Sequence, residues 1–227
     1  MGRVIAIDGP SGAGKSSVSR EVGRRLGFVH VDSGALYRIA TLLCLRAGVD
    51  TSSDSSVAAF VSALPGGVAG YRAEDGRVKW LVDGEEPGDA IRTEEINSHA
   101  SEVARVKEVR DAVTATLRSL VSVGDVIVEG RDITSVVFPD TPARFFLTAS
   151  AEARASRRRL EQVSKGISGE SEEAVKASLL KRDAIDSTRR YAPLKKSDGV
   201  IEIDSTDMAF DEVVEAVLAA LPEDWRK

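Results

Sequence analysis

The stretch GPSGAGKSS, residues 9–17, constrains this chain more than any other. It fits the pattern G-x-x-x-x-G-K-[ST], from Gly9 through Gly14 to Lys15 and Ser16. Glycines at 9, 12 and 14 lack a Cβ, so the backbone can bend sharply and approach an anion. The loop of Gly9, Pro10, Ser11, Gly12, Ala13, Gly14, Lys15, Ser16 and Ser17 then turns its exposed N–H groups into one concavity. The positive end of the following helix adds to that concavity. Lys15 is expected to reach the β and γ phosphates of a nucleotide, and the Ser16 hydroxyl to ligate Mg²⁺. The flanks agree with this reading. Residues 3–8, RVIAID, form a short apolar run that reads as a buried strand. Residues 15–26 read as a helix, with Val18, Val22 and Leu26 on one stripe and Arg20, Arg24 and Arg25 away from it. Strand, loop, helix is the order such a phosphate cradle needs.

Similar apolar runs recur at 28–31, 126–129, 144–147 and 200–203. Helical patterns follow at 15–26, about 36–47, 151–164 and 210–221. Continuous apolar strands alternating with helices predict an α/β fold, a five-stranded parallel sheet flanked by helices in three layers. Two regions interrupt the rhythm. In 65–92, Val78, Trp80 and Val82 alternate on one face, and Asp-Gly occurs at 75–76 and 83–84. Those are hairpin signals, and a small antiparallel β insert of about three strands is expected there. Residues 154–192 read as a charged helical lid broken by KGISGES at 165–171. Neither region resembles an independent domain. The expectation is one domain, 1–227, with its core at 1–64, 93–153 and 193–227, a nucleotide-binding insert at about 65–92 and a lid at about 154–192.

Net charge is −5 despite 31 Lys and Arg, which disfavours a nucleic-acid partner. The single cysteine, Cys44, excludes an internal disulfide and fits a reducing compartment. No run is long enough to span a membrane, and residues 1–8 read as a strand rather than a signal peptide. A soluble cytoplasmic protein without nucleic-acid or membrane partners is therefore expected.

In an open parallel sheet, ligands sit beyond the carboxyl ends of the strands. DSGALYR, 32–38, follows the second apolar run and offers Ser33, Gly34, Tyr37 and Arg38. The same residues read equally as an ordinary helix start capped by Asp32 or Ser33. GRD, 130–132, follows VIVE; Arg131 and Asp132 form either a structural ion pair or, through Asp132, a receptor for an exocyclic amine. In KRDAIDSTRRYAPL, 181–194, Arg182, Asp186 and Arg189 fall on one helical face. Most such runs are solvated salt-bridge stripes. Arginines, however, suit bidentate phosphate contact, and Arg154, Arg157 and Arg158 share a face upstream. Two arginine faces around a glycine-containing break read as a lid over polyphosphate. A phosphate acceptor is largely ionised at neutral pH and needs no general base. His30 and His99 accordingly read as structural, since neither has a partner constellation in the sequence.

Together these motifs resemble the bacterial cytidylate kinases, within the P-loop nucleoside monophosphate kinases. The resemblance covers nearly the whole chain and rests on IDGPSGAGKSS, DSGALYR, IRTEEI (91–96), EGRDI with VVFPD (136–140), RRRLEQ (157–162) and RYAPL (190–194), in that order. It implies transfer of the γ-phosphate of ATP to CMP or dCMP, with Mg²⁺, by a monomer. It implies that Ser33, Gly34, Tyr37, Arg38, Ser101, Arg110, Asp132, Arg182, Asp186 and Arg189 form the monophosphate site. In the family's pattern Arg38, Arg110 and Arg189 hold the acceptor phosphate, Ser101, Asp132 and Arg182 read cytosine, and Asp186 meets the sugar. Lys15, Arg131, Arg189 and the lid arginines Arg154, Arg157 and Arg158 are the implied catalytic groups. A kinase for UMP or AMP, and a regulatory P-loop ATPase, are the competing readings.

The chain departs from the family's pattern twice. Thr134 and Ser135 stand where Gly-Thr is common, which is expected to alter the turn beside Asp132. Lys107 stands where a proline is common before Arg110. Ser101 and Arg110 lie nine residues apart, about 900° of helical turn, and would point opposite ways on one straight helix. If both face one ligand, the helix must bend or break between about 102 and 109. Asp32 and Glu129 are both strand-end candidates for the acid that orders Mg²⁺ through water.

Overall fold

The protein was analysed as a computed structural model that describes residues 2–164 and 171–226. The break expected at 165–171 lies, apart from Ser171, outside the described residues. The chain opens with β1 (Val4–Asp8), the phosphate-type loop, and α1 (Lys15–Leu26). All five β1 residues are buried, because the strand is covered on both faces. Alternation decides which face each residue serves. Val4 and Ala6 join one apolar cluster and Ile5 and Ile7 the other. The chain continues with β2 (Val29–Asp32), α2 (Ser33–Arg46), α3 (Asp54–Ser62), β3 (Gly70–Glu74) and β4 (Arg77–Leu81). After them come α4 (Glu94–Arg105), α5 (Lys107–Ser119), β5 (Val126–Gly130) and β6 (Ala143–Thr148). The last elements are α6 (Ala151–Ser164), α7 (Glu172–Thr188), β7 (Ile201–Asp204) and α8 (Phe210–Ala219).

The sheet order is β3-β4-β2-β5-β1-β6-β7. The five strands β2, β5, β1, β6 and β7 pair in parallel, as the apolar runs predict. On one face, Val18 and Val22 of α1 and Val213, Val214 and Val217 of α8 pack on Ile5, Ile7, Phe145 and Leu147. On the other, Leu36 and Ile39 of α2 and Val109, Val113 and Leu117 of α5 pack on Ala6, Val31 and Val128. None of the described helices is long and apolar enough to cross a membrane.

The region 65–92 corrects one expectation. It holds two strands rather than three, and they extend the main sheet instead of standing apart from it. Arg77 pairs in parallel with His30, whose N–H donates to the Gly76 carbonyl at 2.9 Å. Without β4, the outer edge of β2 would be unpaired, a liability in any sheet. Trp80 is buried against this junction and donates its indole N–H to the Asp32 carbonyl at 3.3 Å. Both Asp-Gly pairs turn as the sequence predicts. Asp75 and Gly76 have φ of 51° and 70°, and Asp83 and Gly84 have 53° and 86°, the double positive φ of a tight hairpin.

The helix carrying Ser101 and Arg110 does break. Val106 is extended, with φ −72° and ψ 129°, and separates α4 from α5. It serves as C-cap of one helix and N-cap of the next, so a single residue reorients the chain without proline.

Candidate active site

The loop adopts the conformation that its glycines predict. Gly9, Gly12 and Gly14 have φ of 152°, 79° and 90°. At Gly9 a Cβ would lie 1.9 Å from the Leu147 carbonyl oxygen, so no other residue fits beside β6. Lys15 is buried, and its ammonium donates to the Gly9 and Pro10 carbonyls at 2.8 and 2.7 Å. Burial, reinforced by the charge of Arg131, pulls its pKa down to about 7. Ser16 and Ser17 are exposed at the loop's mouth. The Ser16 hydroxyl donates to Glu129 Oε2 at 2.9 Å. Of the two acids considered for metal ordering, Glu129 therefore adjoins the serine, whereas Asp32 is engaged by Arg38 at 3.0 Å. Both partners at Ser16 are hard oxygen donors of the type Mg²⁺ takes. Among the described residues no cluster of three or more His, Cys, Asp or Glu could hold a metal.

Glu129 has a second partner, His30 Nε2 at 3.0 Å from Oε1. The reading of His30 as lacking a constellation is thereby corrected: its partner lies on β5, 99 residues away. His99 has partners of its own, with Nδ1 2.8 Å from the Thr51 hydroxyl and 3.4 Å from Glu102 Oε2.

The strand-end residues converge as a charged cluster. Arg110 Nη2 stands 2.5 Å from Asp132 Oδ2, and its Cζ lies 5.1 Å from the centroid of the Tyr37 ring. Its Nη1 donates to the Ala104 carbonyl at 2.8 Å, one turn past the half-buried Ser101 on α4. Arg131 turns away from its neighbour Asp132. Its Nε donates to Asp186 Oδ2 at 3.0 Å, so the ion pair considered between residues 131 and 132 does not form. Arg189 lies 3.5 Å from Asp186 Oδ1, and its Nε donates to the Ala192 carbonyl at 2.7 Å. Ala192 holds a positive φ of 49° to present that oxygen. Burial and the Arg131 charge pull Arg182 below its ordinary pKa, and burial and Arg110 do the same to Arg189. Arg38 Nε, Arg110 Nε, Arg182 Nε and Arg189 Nη2 are buried without a hydrogen-bond partner among the described residues. Buried cationic donors left open in this way call for an anion.

Two further predicted residues sit at the start of α2. The buried Ser33 hydroxyl donates to the Glu129 carbonyl at 2.6 Å and ties the start of α2 to β5. Gly34 lies beneath the Asp32–Arg38 pair, where a Cβ would come within 3.0 Å of Asp32 Oδ1. The three lid arginines also separate. Arg154 is buried and donates to the Ala149 and Ser11 carbonyls at 3.1 and 2.9 Å. Arg157 donates to Ser205 Oγ and O at 2.9 and 2.5 Å. Arg158 pairs with Glu161 at 2.8 Å, and its charge reaches Arg182. The first turns of α6 thus stand against the loop and the end of β7, where Ala149, Ser11 and Ser205 take up Arg154 and Arg157.

Two carboxylates beside the candidate site are missed by sequence reasoning. Asp8 is buried and accepts from Ile133 N, Thr134 N and Thr134 Oγ1 at 2.9, 2.7 and 2.7 Å. It thereby joins the end of β1 to the 133–137 segment, a single π-helical turn beside Asp132. Thr134, the departure noted in the sequence, supplies two of those donors, its backbone N–H and its hydroxyl. Asp183 holds Ser11 of the loop, with Oδ1 accepting from Ser11 N at 3.1 Å. The available signal was position only: Asp8 ends a strand and Asp183 follows Arg182.

Comparison with known proteins gives a consistent result. Residues 5–223 match a family model described as cytidylate kinase. The chain is 41% identical to a cytidylate kinase of Rhodococcus opacus (strain B4), over 97% of this chain and 95% of that one. It is 41% identical to another from Citrifermentans bemidjiense, over 98% and 94%. A solved structure of an uncharacterized protein from Eubacterium ventriosum shares the fold, with a TM-score of 0.52, 11% identity and 96% coverage of both chains.

Proposed function

The chain belongs to the cytidylate kinase family, and on that premise we propose that it transfers the γ-phosphate of ATP to CMP or dCMP, giving CDP or dCDP and ADP. The observation that carries this reading is the set of open, buried guanidinium donors on Arg38, Arg182 and Arg189 beside Asp132 and Asp186. It fits a ligand that is anionic at one end and a hydrogen-bonding base at the other.

The roles follow from pairing. Arg110 is neutralised by Asp132 and stacked on Tyr37, so we assign it to the base end rather than to phosphate. Asp132 and Ser101 complete that end, with Asp132 accepting from the exocyclic amine. Arg182 feels the charges of Arg131, Asp186, Arg38 and Arg158, so we assign it to the phosphate end with Arg38 and Arg189. Asp186 is left for the sugar. Arg131 lies within electrostatic reach of Lys15 and is bonded to Asp186, so it stands between the two substrates. The acceptor phosphate is mostly a dianion at pH 7, its second pKa being near 6. It needs no base, only cancellation of its repulsion with the γ-phosphate. Lys15 and Arg131, with Arg158 from the lid, supply that positive field in a water-poor site. Ser16 and Glu129 would hold Mg²⁺, which when bound neutralises charge across the phosphates. We infer a monomer working in the cytoplasm, which light scattering on the purified chain tests for assembly.

A coupled assay of ADP release, with CMP, dCMP, UMP or AMP added singly, tests the reading. CMP and dCMP are expected to drive release best. Release independent of any monophosphate would favour an ATPase, and preference for AMP would reject the cytosine assignment.

A further inference from the structure

Asp183 has no role in the scheme above, yet it is the one acidic side chain of α7 that reaches the donor loop. It follows Arg182 directly. Its Oδ1 accepts from the Ser11 N–H at 3.1 Å, and its Oδ2 pairs with Nη1 of Arg154. The same Arg154 nitrogen donates to the Ser11 carbonyl at 2.9 Å. One ion pair therefore grips both the N–H and the C=O of a single loop residue. Its acidic half comes from α7, and its basic half from α6. The side chains are 15% and 7% exposed, so solvent does not screen the pair as it would a surface one. The loop is packed tightly here as well. A Cβ on Gly12 would lie 3.1 Å from the backbone oxygen of Arg154.

The same helix carries residues of the candidate acceptor site. Arg182 and Asp186 lie on the same continuous helix as Asp183, Asp186 being its neighbour three residues on, and Arg189 is the C-cap of that helix. The end of that helix is pinned, since Leu194 N–H donates to the Asp186 carbonyl at 2.8 Å. A helix moves as a unit, so a shift of Asp183 carries Arg182 and Asp186 with it.

We propose that Asp183 is a positioning residue that couples the donor loop to the acceptor helix, so that ATP and CMP each strengthen the other's binding. The inference rests on the reading of the loop as the ATP site and of α7 as part of the CMP site. A nucleotide that orders Ser11 orders Asp183, and with it the acceptor arginines. Linkage makes the effect reciprocal.

Calorimetric titration of the full chain with CMP, with and without saturating Mg²⁺ and a non-hydrolysable ATP analogue, measures the coupling as a ratio of Kd values. The wild-type ratio is expected to be about fivefold or more, the lower range of such couplings. In Asp183→Ala it should fall toward one. Asp183→Asn loses the ionic bond to Arg154 but keeps an oxygen for the Ser11 N–H, and should fall between; it carries the test if the alanine variant does not fold. A latch that merely stabilises the protein would shift the Kd values with and without the analogue alike and leave the ratio unchanged, which would overturn the proposal. A wild-type ratio of one would overturn it too. A wild-type chain that binds no CMP at all would overturn the acceptor reading, and this inference with it.

Discussion

Three donors from the turn beside Asp132 converge on Asp8, a carboxylate with no exposure to water. Burial still outweighs them and pushes its pKa from an ordinary 3.8 to about 6. The folded value is raised above the unfolded one. Asp8's contribution to stability is therefore full below about pH 4 and is lost as pH rises through about 6, on the order of 3 kcal/mol. Thr134→Val removes a donor to the ionised form and should raise the midpoint further, read from the Asp8 carboxyl carbon by NMR titration. A midpoint at or below the wild-type value would show that the hydroxyl does not serve the carboxylate. Arg189 poses a catalytic question at the same scale. Its guanidinium is 5% exposed, with one nitrogen open toward the candidate acceptor site. Arg189→Ala should lower kcat on the order of 10²–10³-fold, the usual cost of one preorganised donor to a reacting group. ATP affinity should hold, because Arg189 makes no contact with the loop; unchanged turnover would remove it from the site.

At the scale of elements, the break at Val106 sets the acceptor geometry. It lets α4 present Ser101 while α5 returns Arg110 to Asp132, which one straight helix could not do. Lys107 is the first residue of α5, where proline is well tolerated because its N–H has no intrahelical partner. Val106 is already extended, as a residue before proline prefers. Lys107→Pro should therefore stabilise the fold by about 0.5–1 kcal/mol through the unfolded chain's entropy. The Lys107–Asp111 pair it removes is exposed and contributes little. Urea unfolding checks the gain, and a loss of stability would mean that the turn at 106 is not preorganised. The proline position was legible as a departure in the sequence. That the break survives without proline was not, since it depends on Val106 being buried in the core shared with α2 and α5 and taking both caps.

For the whole molecule, the 65–92 region is a continuation of the sheet. Trp80 and Val68 belong to the same core as α2 and α5. Deleting residues 70–81 should therefore abolish cooperative unfolding seen by circular dichroism, rather than merely weaken CMP binding. A deletion variant that melts like the wild type would restore the picture of a dispensable flap. The sequence by itself determined the donor loop, the five parallel strands and the Asp-Gly turns, because positive φ at glycine and periodic burial are local properties of short segments. It also marked nearly every polar residue of the candidate acceptor site. Only the tertiary structure decided the partners. Arg131 meets Asp186 instead of its neighbour Asp132, Arg154 serves the loop instead of an open lid, and His30 finds Glu129 across the sheet. Ion pairing depends on where distant elements place their side chains, and adjacent residues on a chain point apart.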